Sequence, residues 1–480
     1  MVDVEPPGAA SVLGIGHGKV ARASRAWLAP PIAAQATSIV ELRRRHRGPV
    51  VTREDVGYDV ARATFNGMID RRPEVVARPL DIADVVVAVE FAREAGLPVS
   101  VRGGGHGVAG LCVGDGSLVV DLRLMRDVTV DPGTRTVTCG GGALWEDLDP
   151  PCQRHGLATP GGTFGDTGVA GLTLGGGVGH LLGLHGLTLD NLLEATVVAA
   201  DGRVLNASAA ENEELFWALR GGGGNFGVVV RFVFQLHPVN QLLGGLLVYP
   251  LDDVAAVVAA WRELMRSAPD ELMCVVGLSR SILAGERAYV SVAYFGDPEE
   301  GRDAIAPLLQ AADPAVDSVR AMYYPELQEI FGRMPFGLRN YWSGRFLREL
   351  PDEAIELTAG HLRPADVQGT ILFEPMHGAG ARVPRDATAF AGREAAYNAT
   401  FIGFWQNPDE DERRVATARA YSSILTPWTI GGGYLNYASE PAGDTLEIEY
   451  GAERFARLRT VKRTFDPSNT FRFNHNIPPD

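Results

Sequence analysis

The sequence predicts a mixed α+β protein with at least two hydrophobic cores. The chain has 480 residues, 46% of them hydrophobic, whereas single cores stop growing at about 250 to 300 residues. In the first half, helical periodicity alternates with strand-like runs in a glycine-rich sequence. Beyond about residue 240 the glycine density falls, and longer amphipathic helices accompany strand-like segments. Together these three observations favour a mixed fold built in more than one unit.

The first half contains a helix that leads into a strand. Asp81 is a typical helix N-cap, apolar residues follow at helical spacing from Ile82 to Val89, and Gly96 can end the helix. Residues 98–102 then read as a strand that leads directly into a glycine run. Further predicted elements are strands over 117–122 and 135–139, a helix from Ala143 that Pro150 and Pro151 interrupt, and a helix over 211–219.

A hairpin and one long strand complete this half. "EATVVAADGRVLNAS" reads as two strands joined at Asp201-Gly202, a strong hairpin signal. The strand-like "FGVVVRFVFQLHP" ends the region near residue 240. In the second half, Asp252 to Met265 has one apolar helical face, and 288–296 and 370–383 read as strands. The predicted organisation is a leader with a first helix over 1–49, then units over 50–240, 241–430 and 431–480.

The charge and the basic residues limit the classes of function. A formal charge of −15 without acidic blocks disfavours nucleic acid and anionic membranes as partners, so a small molecule is expected. The chain has two lysines, Lys19 and Lys462, which argues against chemistry that needs a catalytic amine. Lys462 lies in a charged stretch and is expected at the surface.

The cysteines and the N-terminus predict a cytoplasmic protein. The four cysteines have neither disulfide nor zinc-ligand spacing, and no metal site is predicted. The apolar runs within residues 1–36 are too short for a signal peptide or a membrane helix. We therefore expect a reducing compartment.

Four glycine clusters are the strongest functional signal. They cover residues 103–107, 140–142, 161–179 and 221–227. Main-chain N–H groups without side chains can surround a pyrophosphate, so a dinucleotide cofactor is plausible. Neither GxGxxG at a helix start nor GxxxxGK[ST] occurs, which argues against Rossmann and P-loop sites. The alternative is that these glycines form tight turns and bulges.

Four stretches carry a family resemblance, and they follow one another in order from about residue 50 to the end. They are "VRGGGHGVAG", "ATPGGTFGDTGVAGLTLGGGVGHLLGLHGLTLDNL", "RGGGGNFGVV" and the C-terminal part from "YLNY" to "FRFNHNIPP". The chain resembles the FAD-linked oxidases of the berberine bridge enzyme type, in the PCMH-type vanillyl-alcohol oxidase superfamily. This resemblance implies two α+β subdomains that bind FAD over 50–240. It also implies a substrate domain over 241–430, with an antiparallel sheet flanked by helices, and a C-terminal segment that returns to the flavin.

The resemblance implies a covalent flavin bond through His106. In the family, the histidine of the RGGGH motif is joined to the flavin ring. Many relatives have a second bond from a cysteine, but Phe164 stands at that position, so a single bond is expected. Cys152 lies outside the motif and is a weaker candidate for a second bond.

The resemblance also implies the FAD-binding residues. They are Arg102, Gly103, Gly104, Gly105, Gly107, Gly162, Thr163, Gly168, Gly171, Leu172, Asp190, Asn191, Gly227, Val229, Asn474 and Asn476.

The expected reaction needs a base for the hydroxyl proton of the substrate. Strand-like alternation in "YLNY" places Tyr434 and Asn436 on one face and Tyr437 on the other. By family resemblance Tyr434 is the predicted base, and Asn436, on the same face, is a further catalytic candidate. On the strand "ILFEPMHGAG", Glu374 is either a second proton-transfer group or a structural carboxylate. Other residues that either contact substrate or pack in a core are Tyr324, Tyr341, Trp342, Leu372, His377 and Tyr437.

The resemblance predicts an oxidase that takes hydride from a small alcohol, phenol or polyketide-like metabolite and reduces O2 to H2O2. By resemblance, Thr167 is a catalytic candidate that faces the flavin and influences the access of O2 to it. Thr167 and Leu172 resemble the bacterial flavin-N5-oxide oxygenase of enterocin biosynthesis, so oxygenase chemistry is the first alternative. A carbohydrate oxidase and a non-catalytic flavin carrier are the others. A monomer and a homodimer are both compatible with the sequence.

Overall fold

The computed structural model describes residues 32–441 and 443–480. The predicted leader before residue 32 lies outside this part of the chain. The helices are α1 Ile32–Arg45, α2 Tyr58–Arg62, α3 Ile82–Ala95, α4 Trp145–Gln153, α5 Val169–Gly175, α6 Leu182–His185, α7 Glu213–Leu219, α8 Val254–Arg266, α9 Pro298–Ala304, α10 Ala306–Ala311, α11 Tyr324–Leu327, α12 Asp352–His361, α13 Gly378–Arg382, α14 Asp411–Ile424, α15 Leu446–Tyr450 and α16 Ala452–Phe465.

The strands are short in the first half and longer in the second. They are β1 Val50–Thr52, β2 Val75–Ala77, β3 Val99–Arg102, β4 Leu118–Asp121, β5 Val128–Asp131, β6 Thr136–Gly140, β7 Leu157–Ala158, β8 Leu192–Val198, β9 Val204–Ser208, β10 Val228–Gln235, β11 His237–Pro238, β12 Leu242–Tyr249, β13 Leu272–Ser281, β14 Gly285–Tyr294, β15 Val316–Asp317, β16 Arg320–Met322, β17 Arg339–Leu347, β18 Gly369–Pro375 and β19 Tyr397–Trp405.

Two larger sheets form most of the first half, together with a two-stranded sheet of β7 and β11. The first has the order β1-β2-β4-β3, with β2 and β3 both parallel to β4. Helix α3 packs on it, capped by Asp81 and ended by Gly96 in the left-handed conformation, as the sequence predicts. The second is antiparallel, with the order β5-β6-β10-β8-β9. The predicted hairpin joins β8 to β9, and Gly202 in its turn has φ +86°.

An eight-stranded antiparallel sheet forms the second half. Its order is β15-β12-β14-β13-β18-β19-β17, and β16 pairs with β12. One face is covered by α8, α12 and α14, and Trp261 and Tyr421 lie in the core between helices and sheet. The predicted mixed α+β fold is confirmed. No helix in the described ranges is long and apolar enough to cross a bilayer.

Two predicted elements are wrong in detail. Helix α4 continues through Pro150 and Pro151, because Trp145, Leu148 and Cys152 are fully buried and tertiary packing outweighs the cost of the prolines. The strand predicted over 370–383 ends at Pro375, and α13 follows at Gly378, whose φ of +59° turns the chain.

The C-terminal segment returns to the first half, and a buried lysine fixes it there. Lys462 was expected at the surface, but its side chain and that of Asp466 are both 0% exposed. Its ammonium group donates to Asp466 Oδ2 at 2.7 Å, to the Asn225 carbonyl at 2.8 Å and to the Phe471 carbonyl at 3.0 Å. Lys462 thereby joins α16, the last glycine cluster and the C-terminal tail.

Lys462→Met is expected to lower the free energy of unfolding by about 3 to 5 kcal/mol, because the Asp466 carboxylate would stay buried without its cation. Thermal or urea denaturation measures the change. Arg463→Met, at the exposed neighbouring position of α16, is the control and should change stability little. Equal melting of the two variants would contradict a central role for Lys462.

Candidate active site

A cavity of about 310 Å³ lies where three of the four glycine clusters, the large sheet and the C-terminal tail meet. Its volume is typical of ligand pockets, which span about 300 to 1,000 Å³. Its walls come mainly from residues within four parts of the chain, namely 103–112, 162–178, 221–229 and 435–438, and Phe471, Phe473, Asn474 and His475 of the tail close one side.

Two of the glycine loops meet with no room for a side chain. A Cβ atom on Gly104 would lie 2.5 Å from both Cα and N of Gly168, and one on Gly168 would lie 2.4 Å from Gly104 N. Real Cβ atoms do not approach backbone so closely. Glycine is therefore required at both positions, and the contact fixes the loop of His106 against the second glycine loop.

Other glycines leave open space that a cofactor can occupy. Gly107, Gly171 and Gly224 line the cavity, and a Cβ atom on any of them would meet no protein atom within 4 Å. Among the described residues, no arginine, lysine, aspartate or glutamate lines the cavity. Its wall instead offers backbone to an elongated ligand, as a dinucleotide requires. These features fit FAD.

His106 lies in the cavity wall with its ring against aromatic side chains. It stacks on Phe65 with ring centroids 5.2 Å apart, and Phe336 contacts it edge-on at 6.4 Å. Burial lowers the pKa of His106, although Asp166, whose Oδ2 is 3.8 Å from Nε2, acts in the opposite direction. A lowered pKa keeps the imidazole neutral at pH 7, so a ring nitrogen is available as a nucleophile.

The positions considered for a second flavin bond differ in their access to the cavity. Phe164 lines it and packs on Phe331, with ring centroids 5.6 Å apart. Cys152 is a residue of α4 and is fully buried in the hydrophobic core, where burial raises the pKa of its thiol. That environment is typical of an unreactive cysteine.

A tyrosine, a carboxylate and an amide form a hydrogen-bonded chain at the edge of the cavity. Tyr437 lines the cavity, and its hydroxyl donates to Glu374 Oε1 at 3.2 Å. Asn398, on the neighbouring strand β19, donates to Glu374 Oε2 at 2.7 Å. Burial raises the pKa of Glu374 to about 7, although both hydrogen bonds act against the shift. This carboxylate can therefore exchange a proton near neutral pH through Tyr437.

Tyr434 occupies a different environment from the one predicted. Residues Leu435–Tyr437 form a 3-10 turn rather than a strand, so the predicted alternation of faces is wrong. The Tyr434 hydroxyl accepts from Gly177 N at 2.7 Å and from Asn436 Nδ2 at 2.8 Å, and Tyr434 does not line the cavity. Burial raises its pKa to about 12. Tyr434 thus holds the loop around Gly177 in place, and Tyr437 faces the cavity.

Most residues predicted to contact FAD or substrate line the cavity. Besides His106 and Tyr437 these are Gly103, Gly104, Gly105, Gly107, Gly162, Thr163, Thr167, Gly168, Gly171, Leu172, Gly227, Val229, Trp342, Asn436 and Asn474. Their roles stay predictions.

Several predicted cofactor residues lie outside the wall. Arg102 is buried beneath the first glycine loop. Asp190 pairs with Arg393, and Asn191 donates to the carbonyls of His185 and Leu187. Asn476 lines a neighbouring pocket.

The predicted substrate residues that do not reach the cavity are packed elsewhere. Tyr341 lies on the helix-covered face of β17, one residue from Trp342 on the cavity face. Tyr324 and Leu372 belong to another apolar cluster, and the His377 ring packs against Gly183.

Residues whose importance depends on distant contacts gave no signal in the sequence. Phe65 lines the cavity, and Asn225 Oδ1 accepts a hydrogen bond from the Ile477 N–H at 2.9 Å, which holds the tail beside the last glycine cluster. Asn398 gave no signal, because its partner Glu374 is on another strand.

Fold and cavity together define a flavin-binding oxidoreductase, and comparison with known proteins agrees. The FAD binding domain family matches residues 73–208, and the berberine and berberine like family matches residues 433–478. These ranges contain the His106 loop and the Tyr437 turn.

Relatives align with nearly the whole chain. The (R)-6-hydroxynicotine oxidase of Paenarthrobacter nicotinovorans is 30% identical over 90% of this chain and 97% of its own. An FAD-linked oxidoreductase of Dictyostelium discoideum is 32% identical over 85% of this chain and 89% of its own. The crystal structure of 6-hydroxy-D-nicotine oxidase from Arthrobacter nicotinovorans has a TM-score of 0.82 at 31% identity, covering 91% of this chain and 98% of that chain. The chain belongs to the berberine bridge enzyme-like FAD-linked oxidoreductases and is an FAD-dependent oxidase.

Gly104→Ala is expected to destabilise the FAD-free protein by about 1 to 3 kcal/mol, because the added methyl group would overlap the backbone of Gly168. Gly107→Ala is the matched control, since its methyl group would point into open space. Thermal unfolding without FAD compares the two. If Gly104→Ala were as stable as Gly107→Ala, the two glycine loops could move apart without a loss of folding free energy.

Proposed function

We propose that the protein oxidises a small neutral alcohol, most simply an aromatic or polyketide-like secondary metabolite, and passes the electrons to O2 to give H2O2. The proposal is supported mainly by the hydrogen bond between Tyr437, which faces the cavity, and the buried Glu374. FAD bound in the cavity supplies the hydride-accepting chemistry. A peroxide-coupled screen of alcohols, phenols and sugars tests the proposal, and anaerobic bleaching of the flavin separates oxidation from mere binding.

The character of the wall supports a neutral and largely apolar substrate. Charged side chains are absent from the cavity lining within the described residues, whereas Phe65, Met334, Trp342 and Leu172 contribute apolar surface. A charged substrate would lose its hydration without gaining an ion pair. The carbohydrate-oxidase alternative predicts peroxide from oligosaccharides in the same screen.

We propose Tyr437 as the base that removes the hydroxyl proton. Burial raises the pKa of Tyr437 well above its ordinary value, and the Glu374 carboxylate contributes to this rise. A free tyrosinate would therefore be costly, but Glu374 Oε1 can take the phenol proton as Tyr437 takes that of the substrate. The net result is a neutral tyrosine and a protonated Glu374, with no buried charge added.

We propose that His106 carries the single covalent bond to FAD. The ring lies in the wall, its pKa is lowered, and Phe164 rather than cysteine stands at the second position. The surrounding aromatic side chains Phe65 and Phe336 restrict the orientation of the imidazole.

An oxygenase outcome is retained as a second candidate, because both Thr167 and Leu172 line the cavity. Turnover under labelled O2 separates the two candidates. Label in the organic product favours the oxygenase, and peroxide without label in the product favours the oxidase.

Tyr437→Phe is expected to slow anaerobic flavin reduction by about a hundredfold to ten-thousandfold, since proton removal loses its base. Stopped-flow absorbance measures this rate. Tyr434→Phe is the comparison. It removes an acceptor used by Gly177 and Asn436, so it should lower the melting temperature of the protein. It should slow flavin reduction much less than Tyr437→Phe does. The reverse pattern would restore Tyr434 as the base.

The rate of flavin reduction is expected to rise as pH increases through about 7, because Glu374 must be ionised to accept a proton. Glu374→Gln should be slow and should lose this rise. A pH profile of the reductive step checks both expectations. An unchanged profile in the variant would assign the titration to another group.

Acid precipitation of the wild-type protein is expected to retain the flavin with the polypeptide, and the tryptic peptide that contains His106 should carry the added mass. His106→Ala should release FAD on precipitation. Release of all flavin from the wild-type protein would disprove the covalent bond but leave the oxidase proposal intact.

A further inference from the structure

A cluster of charged side chains lies at the carboxyl edge of the parallel strands, behind the first glycine loop. Arg78 follows β2, Asp121 ends β4 and Arg102 ends β3, and Arg102 pairs in register with Asp121. Arg123 lies in the 3-10 turn that follows β4. We call these four residues the arginine-aspartate cluster. Ligands of sheets with parallel strands bind at this edge.

The cluster has more positive than negative charge. Arg123 donates to both carboxylate oxygens of Asp121, at 2.8 and 2.7 Å. Arg78 Nε lies 3.4 Å and Arg102 Nη1 lies 3.8 Å from Asp121 Oδ2. Three guanidinium groups thus share one carboxylate, which leaves a net formal charge of +2.

Arg102 is the least satisfied member of the cluster. Its side chain is 1% exposed, and Nη1 donates to the Ala61 carbonyl at 2.7 Å. Its Nε and Nη2 atoms are buried and have no hydrogen-bond partner among the described residues. A buried cation with unpaired donors is costly unless a nearby anion offsets it.

The cluster is next to the cavity but does not line it. Gly103 and Leu122 line the cavity and directly follow Arg102 and Asp121 in the chain. The cavity wall itself carries no cation among the described residues, yet FAD brings an anionic pyrophosphate. Backbone N–H groups can contact such an anion, but they do not neutralise its charge.

We propose that the arginine-aspartate cluster supplies the positive charge for the FAD pyrophosphate from behind the glycine loop. The loop gives hydrogen bonds and shape, and the cluster gives a field that acts across one layer of backbone, where the effective dielectric constant is lower than in water. The four side chains act as positioning residues through this field, without touching the cofactor.

The test measures FAD affinity in full-length His106→Ala protein, in which flavin can be removed and added back whether or not the wild-type bond is covalent. Its outcome is therefore independent of the proposed reaction. Arg78→Gln and Arg123→Gln, each 32% exposed, are the main variants. Each should raise the Kd for FAD about threefold to tenfold, with smaller effects at high salt. Quenching of flavin fluorescence gives the Kd.

Riboflavin, which has no phosphate, is the matched ligand, and Arg93→Gln at an exposed position of α3 is the matched variant. In Arg78→Gln and Arg123→Gln we expect weaker binding of FAD and unchanged binding of riboflavin. Arg93→Gln should change neither Kd. Arg102→Lys should keep more FAD affinity than Arg102→Met, because it keeps the charge. Unchanged FAD affinity in both main variants would overturn the proposal. So would an equal loss for FAD and riboflavin, because that pattern indicates a purely structural role.

Discussion

The close approach of Gly104 to Gly168 is the contact on which the site depends. With a Cβ atom on either residue only 2.4 to 2.5 Å from the other backbone, the two loops can meet only as glycine on glycine. The meeting point sets the distance between His106 on one loop and Thr163 and Thr167 on the other, and all three line the cavity. A shift of either loop would move the cavity wall and the histidine together.

The substrate side is fixed by a different device, since its residues come from two distant parts of the chain. Glu374 is on a central strand of the large sheet, and Tyr437 is on a turn of the C-terminal segment. Their hydrogen bond joins the two parts, and Tyr434 anchors the same turn to Gly177. The active site is therefore complete only when the C-terminal segment is docked on the rest of the chain.

Features that depend on neighbouring residues could be predicted from the sequence, whereas features that depend on long-range contacts could not. Asp81, Gly96 and the Asp201-Gly202 turn act within a few residues, so α3 and the β8-β9 hairpin followed from the sequence. The glycine clusters and His106 gave the cavity by family resemblance. Tyr434 was predicted as the base by family resemblance, and strand alternation placed it and Tyr437 on opposite faces, whereas the chain forms a 3-10 turn there. The burial of Lys462 could not be predicted, because one carbonyl partner, on Asn225, is distant in the sequence and the other, on Phe471, lies beyond the end of α16.

The distribution of charge explains how a wall with no arginine, lysine, aspartate or glutamate from the described part of the chain can serve a charged cofactor and a proton transfer. Glu374 acts on the cavity through the Tyr437 hydroxyl, and Lys462 holds the backbone of Asn225, which lines it. Neither charged group touches the cavity. Their position behind an uncharged layer lets Glu374 and Lys462 keep their own hydrogen-bond partners, Asn398 and Asp466, whether or not a ligand occupies the cavity. The same reasoning favours backbone and aromatic residues, rather than cations, at the surface that FAD contacts.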